Sequence, residues 1–220
     1  MRRTLFASLI IAFAVGGTMW LLQSEPPPLI PTTLDTTYGL GEIVPDFEFT
    51  TLDGTTRRMS EYAAGAPLLL VLRDALCPVS RRYGHRTSRL DQEYGERGVR
   101  FLYLNVSPLD GPDEMRQDVE RYGLASAYTH DHTWEVTRNL KALTTAEVFL
   151  LDDDGRLRYR GAIDDQYGIR FTKPAPRRHY LRNALDQLLA GEDIETTGTL
   201  AESCYLASDA QTIEHHHSID

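Results

Sequence analysis

Pro67 to Leu72 reads PLLLVL and Val99 to Val106 reads VRFLYLNV. Neither run alternates apolar and polar residues, as a strand with one wet face would, and both are too short for a buried helix. They predict strands covered on both sides. Val79 to Arg97 between them has the periodicity of an amphipathic helix, and Pro112 to Tyr122 starts with a proline and acids, as helices do. The order β-α-β-α requires layers of helix against sheet.

The flanking segments complete this plan. Val44 to Thr50 alternates as a strand, Asp53-Gly54 marks a turn to a second short strand, and Ser60 is placed to cap a brief helix. After a polar loop holding His130, Asp131 and His132, Trp134 to Ala142 reads as helix. Glu147 to Leu151 and Arg156 to Arg160 read as strands about an Asp-Asp-Asp-Gly turn, with no later ligands of a calcium loop. A last helix, Arg177 to Leu189, stops at Gly191. The expected class is α/β, a mixed central sheet with helices on both faces and a hairpin lead-in, spanning residues 38–191 with no internal repeat.

The ends differ from this body. Arg2 and Arg3 precede a run without charge from Thr4 to Leu22, close to the ~20 apolar residues that span hydrocarbon. Residues 1–23 read as an uncleaved anchor, with a cleaved signal peptide as the alternative, and the two arginines place the body on the extracytoplasmic side. Residues 24–37, with Pro26-Pro27-Pro28 and Pro31, read as an extended linker. The formal charge of -9 excludes a nucleic-acid binder. Seven of the acids (Glu192, Asp193, Glu195, Glu202, Asp209, Glu214, Asp220) fall in residues 192–220, which hold no Lys or Arg and read as a flexible acidic tail.

Only two cysteines occur, Cys77 and Cys204. Cys77 stands where the apolar strand passes into the next helix, with Pro78 as first helical residue. Unpaired N–H groups of the helix start therefore face its sulfur, and Arg81 is expected on the same face. That placement predicts a lowered thiol pKa and a nucleophilic sulfur at the carboxyl end of a central strand. The alternative is an inert buried thiol.

The segments VPDFEFTTLDGTTRRMSEY, LLLVLRDALCPVS, VRFLYLNVSPLD and TTAEVFLLDDDGRLRYRG, in that order over residues 40–190, resemble the thioredoxin-like redoxin family. The resemblance is closer still to redoxin-domain proteins with CPVS at the elbow, RGAIDDQYG after the hairpin and a lone Cys in a C-terminal extension. It implies a thioredoxin-like fold and Cys77 as attacking thiol, in a group that includes membrane-anchored thiol–disulfide proteins and peroxiredoxins. Three positions depart from the family. Ser80 replaces the second Cys of C-x-x-C, Asp74 stands where peroxiredoxins carry a peroxide-orienting Thr, and Ala146 takes the place of a cis-proline. A cis bond before a non-proline costs ~2.5–4 kcal/mol, so the bond beside Thr145, itself a candidate site residue, is expected trans.

With Ser80 unable to form a bridge, Cys204 is the candidate resolving thiol, although a mere tail thiol or a bridge between chains remains open. The expected function is a thiol–disulfide oxidoreductase without a bound cofactor, acting on protein thiols or disulfides with an unidentified electron donor. A thiol peroxidase using peroxide is the first alternative. The second is a copper-binding module drawing on Cys77, His85, His130, His132 and His215-His216-His217, although Arg81 stands where copper-delivery relatives carry a second Cys. Asp164-Asp165 is taken as structural.

Overall fold

The computed structural model describes residues 35–206. The predicted anchor, the linker up to residue 34 and the His215-His216-His217 run lie outside the described residues. No helix among the described residues is long and apolar enough to cross a membrane.

A five-stranded sheet in the order β5-β4-β3-β6-β7 forms the centre. β3 (Leu68–Arg73) is parallel to β4 (Arg100–Asn105), which is parallel to β5 (Ala127–His130). β6 (Val148–Leu151) runs antiparallel to β3 and is followed by its hairpin partner β7 (Leu157–Gly161). The two apolar runs thus lie side by side in the middle of the sheet, and consecutive residues of β3 face opposite layers. Leu69 and Val71 pack with Val79, Tyr83, Leu90 and Tyr94 of α2 (Pro78–Gly95), Met115 of α3 (Pro112–Tyr122), and Leu181 and Leu185 of α5 (Tyr180–Ala190). Leu68, Leu70 and Leu72 face the other way. They meet Phe47, Phe49 of β1 (Glu48–Thr50), Met59 of α1 (Met59–Ala63), and Val136 of α4 (Glu135–Asn139). β1 and β2 (Thr56–Arg58) form a separate antiparallel pair. The architecture is the expected α/β class, with long helices on one face and the lead-in with two short helices on the other.

Several local expectations change. Of the polar loop, His130 ends a strand, β5, while Asp131 and His132 stay in the loop, and the sequence hides that strand because Ala-Tyr-Thr-His has no apolar run. Parallel pairing with β4 and burial of Tyr128 and Thr129 create it. Ser60 does not cap α1. Asp46 does so from outside the helix, accepting the Ser60 N–H at 3.0 Å and its hydroxyl at 2.9 Å. α4 begins only after Trp134, whose φ of 59° is left-handed, and Asp131 accepts the Thr137 N–H at 2.8 Å. α5 starts at Tyr180 rather than Arg177, because the N–H groups of Arg177 and Arg178 bond the Asp165 carboxylate at 2.7 and 3.0 Å. The Asp152 turn is as read: its carboxylate accepts the N–H groups of Asp154 and Arg156, and Gly155 takes φ 79°.

The segment after Gly191 bears most on the site. Up to residue 206 it lies against the domain as a strap rather than leaving it as a loose tail. Its backbone pairs with β7, Arg160 N–H to the Thr197 carbonyl at 3.0 Å and Thr199 N–H to the Arg160 carbonyl at 3.1 Å. It then crosses the residues before β6. The Thr144 hydroxyl bonds the Ala201 carbonyl at 2.9 Å, Thr145 N–H the Cys204 carbonyl at 2.9 Å, and Leu206 N–H the Leu143 carbonyl at 3.1 Å. Ile194, Ala201 and Ser203 are buried. The platform under it is held by a buried ion pair. Arg160 bonds Glu147 at 2.8 Å and the carbonyls of Tyr38, Leu140 and Lys141, while Glu147 accepts the Leu143 N–H at 2.8 Å.

Candidate active site

Cys77 occupies the N-cap of α2, with Pro78 as the first helical residue, as the sequence predicts. The loop before it is fixed by carboxylates. Asp74 accepts the N–H groups of Leu76 and Cys77 at 2.8 and 3.0 Å, and Asp110 accepts that of Ala75 at 2.7 Å. Ser80, in place of a second Cys, is a structural residue: its hydroxyl accepts the Asp74 N–H at 3.1 Å, and its own N–H bonds the Cys77 sulfur.

The Cys77 sulfur is buried, with Cys77 only 2% exposed, and the strap covers it. Cys204 Sγ lies 2.8 Å away across 127 residues of sequence, and both thiols are free. Ser203 Oγ lies 3.3 Å from Cys77 Sγ and 3.1 Å from Thr145 Oγ1. The two thiols are driven apart electrostatically. Burial alone would push Cys77 up, but hydrogen bonds from Cys204, Ser203, the Ser80 N–H and Thr145 outweigh it, and Cys77 lies below its ordinary value. Cys204 is pushed up to about 12 by burial, by its hydrogen bond to Cys77, and by the nearby charges of Cys77 and Asp74. Of the two thiols, Cys77 therefore gives up its proton first. Asp74 is itself raised, by burial and by the charge of Asp110.

The AhpC/TSA family model matches residues 40–160, more than half of the chain. The chain belongs to the AhpC/TSA family. No curated protein matches it. Among solved structures it is similar to an uncharacterized conserved protein from Geobacillus kaustophilus, 27% identical, with 78% of this chain and 93% of that one covered and a TM-score of 0.71. It also superposes on a peroxidoxin, BcpB, from Mycobacterium tuberculosis (17% identical, 69% and 97% covered, TM-score 0.54). A third is a putative thiol:disulfide interchange protein, DsbE, from Chlorobium tepidum (16% identical, 72% and 98% covered, TM-score 0.54). The last two establish the thioredoxin-like fold. AhpC/TSA membership and that fold make the chain a redoxin of the thiol–disulfide or peroxiredoxin-like kind.

In this AhpC/TSA family chain the sequence-derived candidates divide. Cys77, Cys204 and Thr145 come together, although Cys204 arrives on an ordered strap. Arg81 does not join them. Its side chain is exposed and makes no hydrogen bond or ion pair among the described residues, and the sulfur, which precedes the helix, is reached by the Ser80 backbone N–H instead. The Thr145–Ala146 bond is trans. No group of three or more His, Cys, Asp or Glu side chains that could hold a metal exists among the described residues. His130 bonds the Ser107 carbonyl at 3.0 Å, and His85 packs edge-on against Tyr122. Asp164 accepts the Tyr83 hydroxyl at 3.0 Å and pairs with Arg86, and Asp165 pairs with Lys173 at 2.7 Å, so both brace the loop before α5. Ser203 was missed. Its only signal is adjacency to Cys204, since whatever brings one to Cys77 brings the other.

Proposed function

We propose that this protein is a thiol–disulfide oxidoreductase that cycles between a Cys77/Cys204 dithiol and the bridge between them. The observation that carries the reading is a pair of sulfurs 2.8 Å apart with the nucleophile lowered and its neighbour raised. The Cys77 thiolate attacks a substrate disulfide, forming a mixed disulfide and expelling one substrate thiolate. Cys77 then carries no negative charge, so one cause of the raised Cys204 value is gone. Cys204 loses its proton to solvent, attacks Cys77 Sγ and expels the second substrate thiolate. The substrate gains two electrons and the enzyme disulfide holds the loss, to be reduced by an external thiol donor. The run from Thr4 to Leu22 behind Arg2 and Arg3 supports a tethered domain on the extracytoplasmic side, where such exchange operates.

AhpC/TSA membership favours a second reading, in which a hydroperoxide oxidises the Cys77 thiolate to a sulfenic acid and Cys204 condenses with it, releasing water. Intact mass after mild peroxide and after a disulfide substrate separates the two. The first reading expects the disulfide to drive loss of two hydrogens in the wild type, a trapped mixed disulfide in Cys204→Ser and no adduct in Cys77→Ser. Rapid bridging by peroxide alone favours the second reading, and a Cys204 that stays reduced under both oxidants refutes both. A fusion reporter after Asp220 that works only in the cytoplasm overturns the topology.

A further inference from the structure

Cys77 receives donors from two sources. The Ser80 N–H belongs to its own helix. The remaining two, the Cys204 thiol and the Ser203 hydroxyl, come from the strap. A thiol is a weak donor, and it is consumed when the bridge forms. A hydroxyl is stronger and survives the redox cycle. Ser203 is also well fixed. It is 3% exposed and lies between two backbone anchors, Ala201 bonded by the Thr144 hydroxyl and Cys204 bonded by the Thr145 N–H, each at 2.9 Å.

A serine hydroxyl has one proton and can donate it to only one neighbour. If Ser203 gives it to the sulfur 3.3 Å away, its oxygen is free to accept from Thr145, 3.1 Å away on the other side. The two distances define a chain from Thr145 O–H to Ser203 Oγ, and from Ser203 O–H to Cys77 Sγ. We propose that Ser203 is the hydroxyl that stabilises the Cys77 thiolate and that Thr145 positions it, so that the strap brings the activator of the nucleophile together with its redox partner. The proposal rests on the assignment of Cys77 as nucleophile. Its consequence is coupling: the strap that lowers the Cys77 thiol is the one that has Cys204 in place to resolve what Cys77 attacks.

The test is the pH dependence of Cys77 alkylation by iodoacetamide in a Cys204→Ala chain, where one thiol reports. A hydrogen bond to a charged group carries enough free energy that losing it moves the midpoint by roughly one to two pH units. Ser203→Ala should raise the midpoint by that amount while leaving the limiting rate at high pH similar. Ser203→Thr, which keeps the hydroxyl, should restore it. Thr145→Val, close in shape to Thr but without the hydroxyl, should raise it as well, and serves if Ser203→Ala folds poorly. An unchanged midpoint in either deletion, or a Ser203→Thr midpoint as high as that of Ser203→Ala, overturns the proposal. Bridge formation in the wild type is read separately by intact mass. A chain that bridges normally but whose midpoint ignores Ser203 refutes this role alone, whereas a chain that never bridges refutes the oxidoreductase reading alone.

Discussion

Replacing Arg160 by Met removes a fully buried guanidinium that bonds Glu147 and the carbonyls of Tyr38, Leu140 and Lys141. Burial already pushes the Glu147 carboxyl up from its ordinary 4.5, and the Arg160 charge is the largest influence opposing it. Without that charge, Glu147 answers by taking a proton. Holding it neutral at pH 7, about 2.5 pH units above 4.5, costs about 3.4 kcal/mol at 1.36 kcal/mol per pH unit, an upper bound on the difference from the wild type, where Glu147 is already raised. That falls within the ~3–5 kcal/mol typical of breaking a buried pair from one side, and the carbonyls left without donors push toward the upper end. With ~2 kcal/mol per molar urea as a reasonable slope, the unfolding midpoint should fall by about 1.5–2.5 M. The penalty also has a pH signature. In the variant, the folded-state value of Glu147 is raised above the unfolded one. Its neutral form is therefore tolerated in full below 4.5, and stability is lost as pH rises from there toward the folded value. Urea titrations of wild type and Arg160→Met at pH 7 and pH 4.5 should show the gap shrinking at the lower pH. Adding Glu147→Gln, which keeps an oxygen for the Leu143 N–H, should remove the pH-dependent part. A penalty under about 1 kcal/mol, or one equal at both pH values, refutes this account of the pair.

The reduced domain should gain and then lose stability relative to the bridged one as pH rises. Cys77, lowered in the fold, contributes stability that is present above 9.0 and lost as pH falls through its folded value, whereas Cys204, raised, contributes stability present below 9.0 and lost toward about 12. The Tm of the reduced form minus that of the bridged form should be highest near 9, and a flat difference contradicts the assigned shifts. Gly198→Ala should loosen the strap without touching either sulfur. A Cβ there falls on the Thr36 backbone carbonyl, so bridge formation should slow, at a cost of ~1–3 kcal/mol, while the control Gly95→Ala leaves it unchanged. Equal rates in the two variants would show that strap seating does not govern the bridge.

The strands at the centre were legible because burial on both faces leaves no room for polar residues, so PLLLVL and VRFLYLNV declare themselves whatever surrounds them. Pro78 after Cys77 declared the helix start in the same local way. β5 was not legible, because its identity comes from pairing with β4 rather than from its own four residues. The strap was hidden for a related reason. An acidic stretch with few apolar residues reads as solvated, yet it is held by backbone hydrogen bonds to β7 and residues 143–145, which leave almost no trace in side-chain pattern. Arg81 misled because proximity along a helix face was taken for proximity to a sulfur that lies before the helix begins.

Asp74 shows how one departure from a family pattern can change the chemistry of a site. A Thr at that position would offer a hydroxyl, which can donate. A carboxylate can only accept, and here it accepts the Leu76 and Cys77 N–H groups while Asp110 takes that of Ala75. The arrangement has costs: Asp74 is raised by burial and by its neighbour, and one oxygen of Asp110 is buried with no partner among the described residues. With these three N–H groups engaged, the Ser80 N–H is the backbone donor that reaches the Cys77 sulfur. The charge of Asp74 meanwhile adds to what keeps Cys204 protonated. The same carboxylate therefore fixes the elbow that holds Cys77 and favours the protonated form of the second thiol. Side-chain donation to the sulfur then falls to a hydroxyl from elsewhere, the position that Ser203 occupies with Thr145 behind it.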